Sequence, residues 1–247
     1  MELQFKRARG EIPAYARVVI ETTGLADPTP IIATYLSDIS LRYCYRPSLV
    51  ITTVDTVHGL TTRATHGESR NQVALADRLN LTKTDLCQPG PITALCTQLA
   101  QLNYAAEVIP ALAGGLDLSA LLRGDVYGPG HRHDEVSRWF ATHDESLRQP
   151  VHRHHSDIHG FYVVTDTALD WTAFGVWLTL LLHSHGDRVL RVKGLLNVAG
   201  VAAPVVINRV QHMVHPPVHL ARWPDEDSRS RMDFIVQGLT QAAIEDR

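Results

Sequence analysis

Cysteine is scarce in this chain and lysine equally so. The three cysteines, Cys44, Cys87 and Cys96, lie no closer than nine positions apart in 247 residues. That spacing excludes a disulfide-stapled scaffold and a C-x-x-C zinc or redox site, and it fits a reducing compartment. The longest apolar stretch, Trp171 to Leu182, falls short of the ~20 residues that a membrane-spanning helix requires. The basic opening MELQFKRARG leads into no apolar run of signal-peptide type, so a cytoplasmic location without membrane contact is expected. Charge of one sign is lacking too: 23 basic against 26 acidic side chains leave −3, and no electrostatic case for nucleic acid arises. Three lysines stand against 20 arginines, which gives each lysine some weight, and two of them, Lys83 and Lys193, fall inside the motifs below.

What is present is ordinary for a folded protein, with 45% hydrophobic and 20% charged residues, enough for one large domain or two modest ones. From Arg17 to about Ile109, short β-branched apolar runs alternate with helix-like stretches, the pattern of βα units on a parallel sheet. ARVVIE, SLVITTVD, LNLTKTD and AEVIPA read as its strands. ADPTPIIATYLSDI reads as a helix begun by Asp27 and Pro28, and ESRNQVALADR and GPITALCTQLAQLN as two more. From Gly124 to about Ser156, Gly, Pro, His and mixed charges replace the periodicity, which predicts a linker or long loop. Beyond it, GFYVVTD, a helix capped by Asp170, and then RVLRVKGLLNV, APVVINRVQHMV and RMDFIVQGL predict a small antiparallel α+β domain.

The chemistry-bearing motifs lie at strand ends. VVIETTGLADP places Glu21 at the end of an apolar run and Gly24 three residues on. In a P-loop GTPase a carboxylate so placed stands near Mg²⁺ and its water shell, and the glycine N–H meets the γ-phosphate. Any strand-to-helix turn also favours a glycine and a polar residue. LNLTKTDL carries the [NT]KxD pattern that selects guanine: Asp85 accepts from the base's N1–H and N2–H, the Lys83 stem packs on its face, and Thr82 tethers the loop. TKxD alone arises often by chance, but following a matching ExxG by ~60 residues and two strands makes it far more specific.

The strings ETTGLADP, TTVDTVHG, QVALADRLNLTKTDL, HGDRVLRVKGLLNV and WPDEDSRSRMDFI, in that order, resemble the CobW family of P-loop GTPases, whose members are linked to metal insertion and zinc homeostasis. The resemblance runs over most of the chain. It implies an α/β fold: the C-terminal part of a GTPase domain over residues 1–123, a histidine-rich linker over 124–156, and a small α+β domain over 157–247. It further implies GTP and Mg²⁺ as ligands, Zn²⁺ or a related divalent metal, and a client metalloprotein as partner. Glu21 and Gly24 then take the catalytic positions, and Thr82, Lys83 and Asp85 the guanine site.

The chain also departs from the family pattern. The P-loop GxxGxGKT and a CxCC metal motif, both expected ahead of ETTGLADP, have no counterpart, and no Gly-Lys dipeptide occurs anywhere. The N-terminal third then reads as lost, split off or encoded upstream of Met1. P-loop amides and lysine, with Mg²⁺, supply most triphosphate binding, so this chain is expected to recognise guanine but hold GTP poorly. An apolar sheet edge should also be bared. Two functions compete: a GTPase-type metal chaperone or insertion protein impaired in hydrolysis, and a non-enzymatic scaffold or client-binding module. A separate N-terminal fragment would complete the fold and restore activity in trans; a homo-oligomer is the other assembly considered.

Seven of the 14 histidines lie between His131 and His159. His131, His133, His152, His154 and His155 offer nitrogen ligands suited to Zn²⁺, Ni²⁺ or Co²⁺, yet their spacing matches no closed zinc site. A solvated histidine-rich linker is the equal alternative. His183 and His185 read as residues favoured at a helix C-terminus. Lys193 reads as a charge on an exposed strand face or an anion contact, and Trp171, Trp177 and Trp223 read as core or interface. Asp55, ending a strand, either reaches a metal or caps a turn.

Overall fold

A computed structural model of the chain describes residues 2–24, 26–45, 48–111, 117–122, 132–141, 158–210, 213–214 and 216–245. The first half carries helices α1 (Glu2–Ala8), α2 (Thr29–Ser37), α3 (Ile39–Cys44), α4 (Gly59–Thr65), α5 (Gly67–Leu75) and α6 (Pro89–Leu102), and strands β1 (Ile51–Asp55), β2 (Arg78–Thr82) and β3 (Glu107–Pro110). The strands pair in parallel in the order β1-β2-β3, with Val54 beside Leu81 and Leu81 beside Pro110. Central β2 is buried from Arg78 to Leu81, as a strand covered on both faces must be. Leu95, Leu99 and Leu102 recur at helical spacing on α6 and meet Val73, Leu75, Leu79 and Leu81 in one core.

Two expectations change here. Residues 16–21, the ARVVIE run, form no strand and join no ladder, and Val19 and Ile20 are 81% and 67% exposed. β-branched residues make a strand only where a paired neighbour and a covering layer exist, and among the described residues none is offered to this run. β1 likewise pairs only with β2 among the described strands, so the sheet has three strands rather than four. The helix expected over ADPTPIIATYLSDI also breaks in two. Asp27 accepts from Thr29 N at 2.9 Å to begin α2, but Asp38 accepts from Ser40 N and Leu41 N and restarts the chain as α3.

The second half begins with α7 (Leu118–Leu121) and α8 (Arg132–Ala141), then β4 (Ile158–Thr165), α9 (Trp171–His185), β5 (Val189–Leu196), β6 (Val205–Val210), β7 (Met213–Val214), β8 (Val218–His219), β9 (Ser230–Gln237) and α10 (Ala242–Glu245). An antiparallel sheet runs β4-β9-β5-β6-β7, with β8 also on β6. Asp170 accepts from Ala173 N at 2.7 Å and starts α9 as the sequence foretold. The helix lays Phe174, Leu178 and Leu181 on one sheet face, against Val192, Leu196, Ile207, Phe234 and Val236. Gly194 lets β5 and β6 close there: a Cβ at that position would lie 2.6 Å from Cγ1 of Ile207. Trp177 joins this core, whereas Trp171 remains 44% exposed. No described helix is long and apolar enough to cross a membrane.

The stretch expected to be linker contains a helix, α8, that buries Glu135, Val136 and Trp139. Trp139 packs with Leu195, Val206 and Leu220, so one aromatic among many charges suffices to dock a helix that its composition disguised. Lys193 is also corrected. It is fully buried on the inner face of β5, its Nζ 4.2 Å from the centre of the Trp139 ring and 3.5 Å from Asp77 Oδ1. Strand alternation puts Arg191, Lys193 and, on β9, Asp233 on this same face, which meets the parallel sheet instead of water.

That meeting is a polar joint. Arg191 donates to the Leu75 and Ala76 carbonyls, the orphan acceptors at the end of α5, and pairs with Asp77. Asn103 donates to the carbonyls of Val73, Ala74 and Ala76, and Tyr104 donates to Asp233. Arg78, buried, pairs with Glu107 and with Glu135 of α8. Burial pushes the Asp77 carboxyl up, but Arg191 and Lys193 overcome it and hold the group below its usual range. Burial raises Asp233 to about 6, and burial with neighbouring Arg191 lowers Lys193 to about 8. Asp77 and Val50 lie at the N-terminal ends of β2 and β1. The joint therefore occupies the end of the parallel sheet opposite Asp55 and Thr82.

Candidate functional site

In an open parallel sheet the carboxyl ends of the strands form the ligand edge. Here β1 delivers Asp55 to that edge, and β2 delivers Thr82 followed by Lys83, Thr84 and Asp85. Lys83 has φ of 59° and is the one non-glycine residue at positive φ among those described. Such a conformation costs about 1–2 kcal/mol for a side chain of this kind, and it turns the chain sharply into the short 3₁₀ turn Thr84–Leu86. Several bonds hold the turn. Thr56 N donates to the Thr82 carbonyl at 3.1 Å, the Thr56 hydroxyl reaches the Thr82 and Lys83 carbonyls at 2.8 and 2.9 Å, and the Thr84 hydroxyl donates to the Ala111 carbonyl at 2.9 Å. The Thr82 hydroxyl donates to the Val54 carbonyl at 3.3 Å.

Asp55 caps the turn that follows β1. Its Oδ1 accepts from Val57 N and His58 N at 2.8 and 3.2 Å, while Oδ2 takes Lys83 Nζ at 2.7 Å. The Lys83 ammonium above all, then these N–H groups against the counter-effect of burial, holds the Asp55 carboxyl well below the usual carboxylate range. The Lys83 stem thus spans the gap between the ends of β1 and β2. Asp85 is exposed, and no described residue pairs with its carboxylate. The motif named Thr82, Lys83 and Asp85 but missed Thr56 and Thr84, whose partners lie 26 or more positions away. A threonine following a strand gives no sign of such reach.

The remaining expected site residues are less gathered. Glu21 is exposed in the irregular segment before α2, and Gly24 offers its carbonyl to Gln72 Nε2 at 3.0 Å. Gln72 also binds the Ala26 carbonyl, and Asn71 binds Asp27, so α5 anchors the ETTGLADP segment. No described hydrogen bond or ion pair joins Glu21 or Gly24 to the Thr82–Asp85 turn. Of the five histidines, His133 lies in the first turn of α8, its Nε2 3.4 Å from the Trp223 carbonyl. His131, His152, His154 and His155 lie outside the described residues. Among the described residues no three His, Cys, Asp or Glu side chains gather as a metal would need.

The two halves of the chain recur in known proteins. Residues 3–110 match the CobW/HypB/UreG nucleotide-binding domain and residues 158–247 the cobalamin synthesis protein cobW C-terminal domain. The zinc chaperone YjiA of Escherichia coli K12 is 32% identical over 230 residues, covering 93% of this chain and 69% of YjiA. The zinc-regulated GTPase metalloprotein activator 1 of Schizosaccharomyces pombe is 30% identical over 209 residues, 74% of this chain and 50% of the yeast protein. The crystal structure of Zn(II)-bound YjiA GTPase from E. coli superposes with a TM-score of 0.76 at 29% identity, over 99% of this chain and 73% of that one. The parallel half with its TKTD turn and the antiparallel half with its RVKGLLNV strand each match their own family domain, in one order and one fold, and the chain belongs to the CobW family.

Proposed function

We propose that this chain is a cytoplasmic guanine-nucleotide-binding metal chaperone, which passes zinc or a related divalent metal to a client metalloprotein. The observation that carries the nucleotide half is Asp85. Its exposed, unpaired carboxylate stands on a turn locked at the ligand edge of the sheet, free to accept the two N–H donors that guanine presents and adenine lacks. The metal half is supported by the zinc-linked relatives.

The residues present fit the base better than the phosphates. The 247 residues hold no Gly-Lys dipeptide, so they supply no P-loop lysine for charge at the γ-phosphate. Bound Mg²⁺ would neutralise phosphate charge, but Glu21 belongs to no group of three His, Cys, Asp or Glu side chains among the described residues, and no step is assigned through the ion. Weak GTP binding and negligible turnover follow for this chain. Client docking by the C-terminal half, with the nucleotide half as scaffold, is the reading that a chain without turnover retains.

Competition of GDP and ADP for a fluorescent GDP analogue on the purified chain tests the nucleotide half. Guanine should win, and Asp85→Asn should shift preference to xanthine. Equal competition by ADP would remove the base-recognition role. Saturable GTP hydrolysis abolished by Lys83→Ala or Asp85→Ala would overturn the expectation of negligible turnover.

A further inference from the structure

From the contacts at the end of β1 we infer that Asp55 and Thr56 are the positioning pair of the guanine turn, setting base selectivity without touching the base. This rests on the guanine reading above and deepens it. The carbonyls that Thr56 grips, those of Thr82 and Lys83, belong to the peptide groups on either side of the Lys83 Cα. Fixing both peptide planes fixes φ and ψ of Lys83, and with them the direction in which Thr84–Leu86 and the Asp85 carboxylate leave β2. Thr56 is 4% exposed, so water cannot replace its hydroxyl, and the left-handed conformation at Lys83 has no glycine to relax it. Asp55 fixes the other element of the site by drawing the Lys83 ammonium to 2.7 Å, which stretches the stem across the strand ends. One dipeptide at the end of β1 thereby sets the backbone of the turn and the side chain of its lysine.

The test compares the full chain with Thr56→Val, which keeps shape but loses the hydroxyl, Thr56→Ser, which keeps the hydroxyl, and Asp55→Asn, which still caps the turn but loses the charge facing Lys83. Competition of GDP against ADP for the fluorescent GDP analogue gives the selectivity ratio, and thermal unfolding is followed alongside. Thr56→Val should lower the guanine-to-adenine ratio about tenfold, equivalent to about 1.4 kcal/mol, and Thr56→Ser should restore it to within about threefold of wild type (about 0.65 kcal/mol). Asp55→Asn should weaken GDP several-fold with the unfolding midpoint unchanged, which keeps the inference testable if Thr56→Val fails to fold. Unaltered ratio and GDP affinity in the folded variants would overturn the inference while leaving the guanine reading intact. So would equal losses of GDP and ADP binding that track a lowered midpoint, the mark of a merely structural role. A wild-type chain without guanine preference would overturn both.

Discussion

Replacing Arg191 with methionine should unfasten the joint between the two sheets. Arg191 is 1% exposed and serves three acceptors on the first half of the chain: the Asp77 carboxylate and the carbonyls of Leu75 and Ala76. Methionine preserves much of the stem's packing and removes all three bonds. Asp77 then keeps only Val50 N at 2.9 Å and the Lys193 ammonium at 3.5 Å. Removing one partner of a buried ion pair costs about 3–5 kcal/mol, because the other charge stays desolvated. The two carbonyls at the end of α5 keep a donor in Asn103 at Ala76 but lose one at Leu75, about 1 kcal/mol more. A loss of this size is a large part of the 5–15 kcal/mol typical of a domain. Urea unfolding, followed by tryptophan fluorescence and far-ultraviolet circular dichroism, should show the fall and, because the bonds cross between sheets, two transitions in place of one. With Asp77→Asn added, the double variant should lose less than the two single losses combined, by about 1–3 kcal/mol. A loss under about 1 kcal/mol, or strict additivity, would refute the assignment of the joint to this pair.

Three further outcomes are expected. Gly194→Ala should lower stability by about 1–3 kcal/mol in thermal unfolding, since its Cβ would press on Ile207 at 2.6 Å and strained cores cost that much. Asp233 should make stability fall between about pH 4 and 6: burial raises its folded pKa to about 6, the folded state binds the extra proton in that window, and the contribution present below pH 4 is lost as pH rises. Asp233→Asn should flatten that slope in unfolding measured across pH. Zn²⁺ titration calorimetry should show binding that weakens as pH drops through ~6.5, where imidazole protonates, and that is lost when His131, His133, His152, His154 and His155 are all changed to alanine; matching isotherms would return them to linker.

Periodicity and strand-end chemistry make much of this molecule legible in its sequence. β1, β2 and β3 follow from their apolar runs, α9 from Asp170 and its leucines, and the loop leaving β2 from LNLTKTD. The failures have physical causes. Residues 16–21 carry a strand's side chains but no ladder, and propensity cannot report the partner. α8 hides because Trp139 and Val136 sit among charges, and its burial comes from the inner face of β5 and β6. Lys193 reads as exposed in the sequence because strand alternation says which residues share a face but not what covers it; here that cover is Trp139 and Asp77. Thr56 was invisible for the same reason, its work being done across 26 positions of sequence.

The scarcity of lysine turns amine chemistry into a positional probe of this molecule. The Lys6 and Lys83 side chains are 40% and 52% exposed, while that of Lys193 is 1% exposed. An acylating reagent applied to the closed protein marks the first two. Lys193 takes the label only when the inner face of β5 parts from α5 and α8. Mass spectrometry of a labelling time course therefore yields two readings, access to the turn after β2 at Lys83 and the rate at which the two sheets separate at Lys193, with Lys6 as the internal standard.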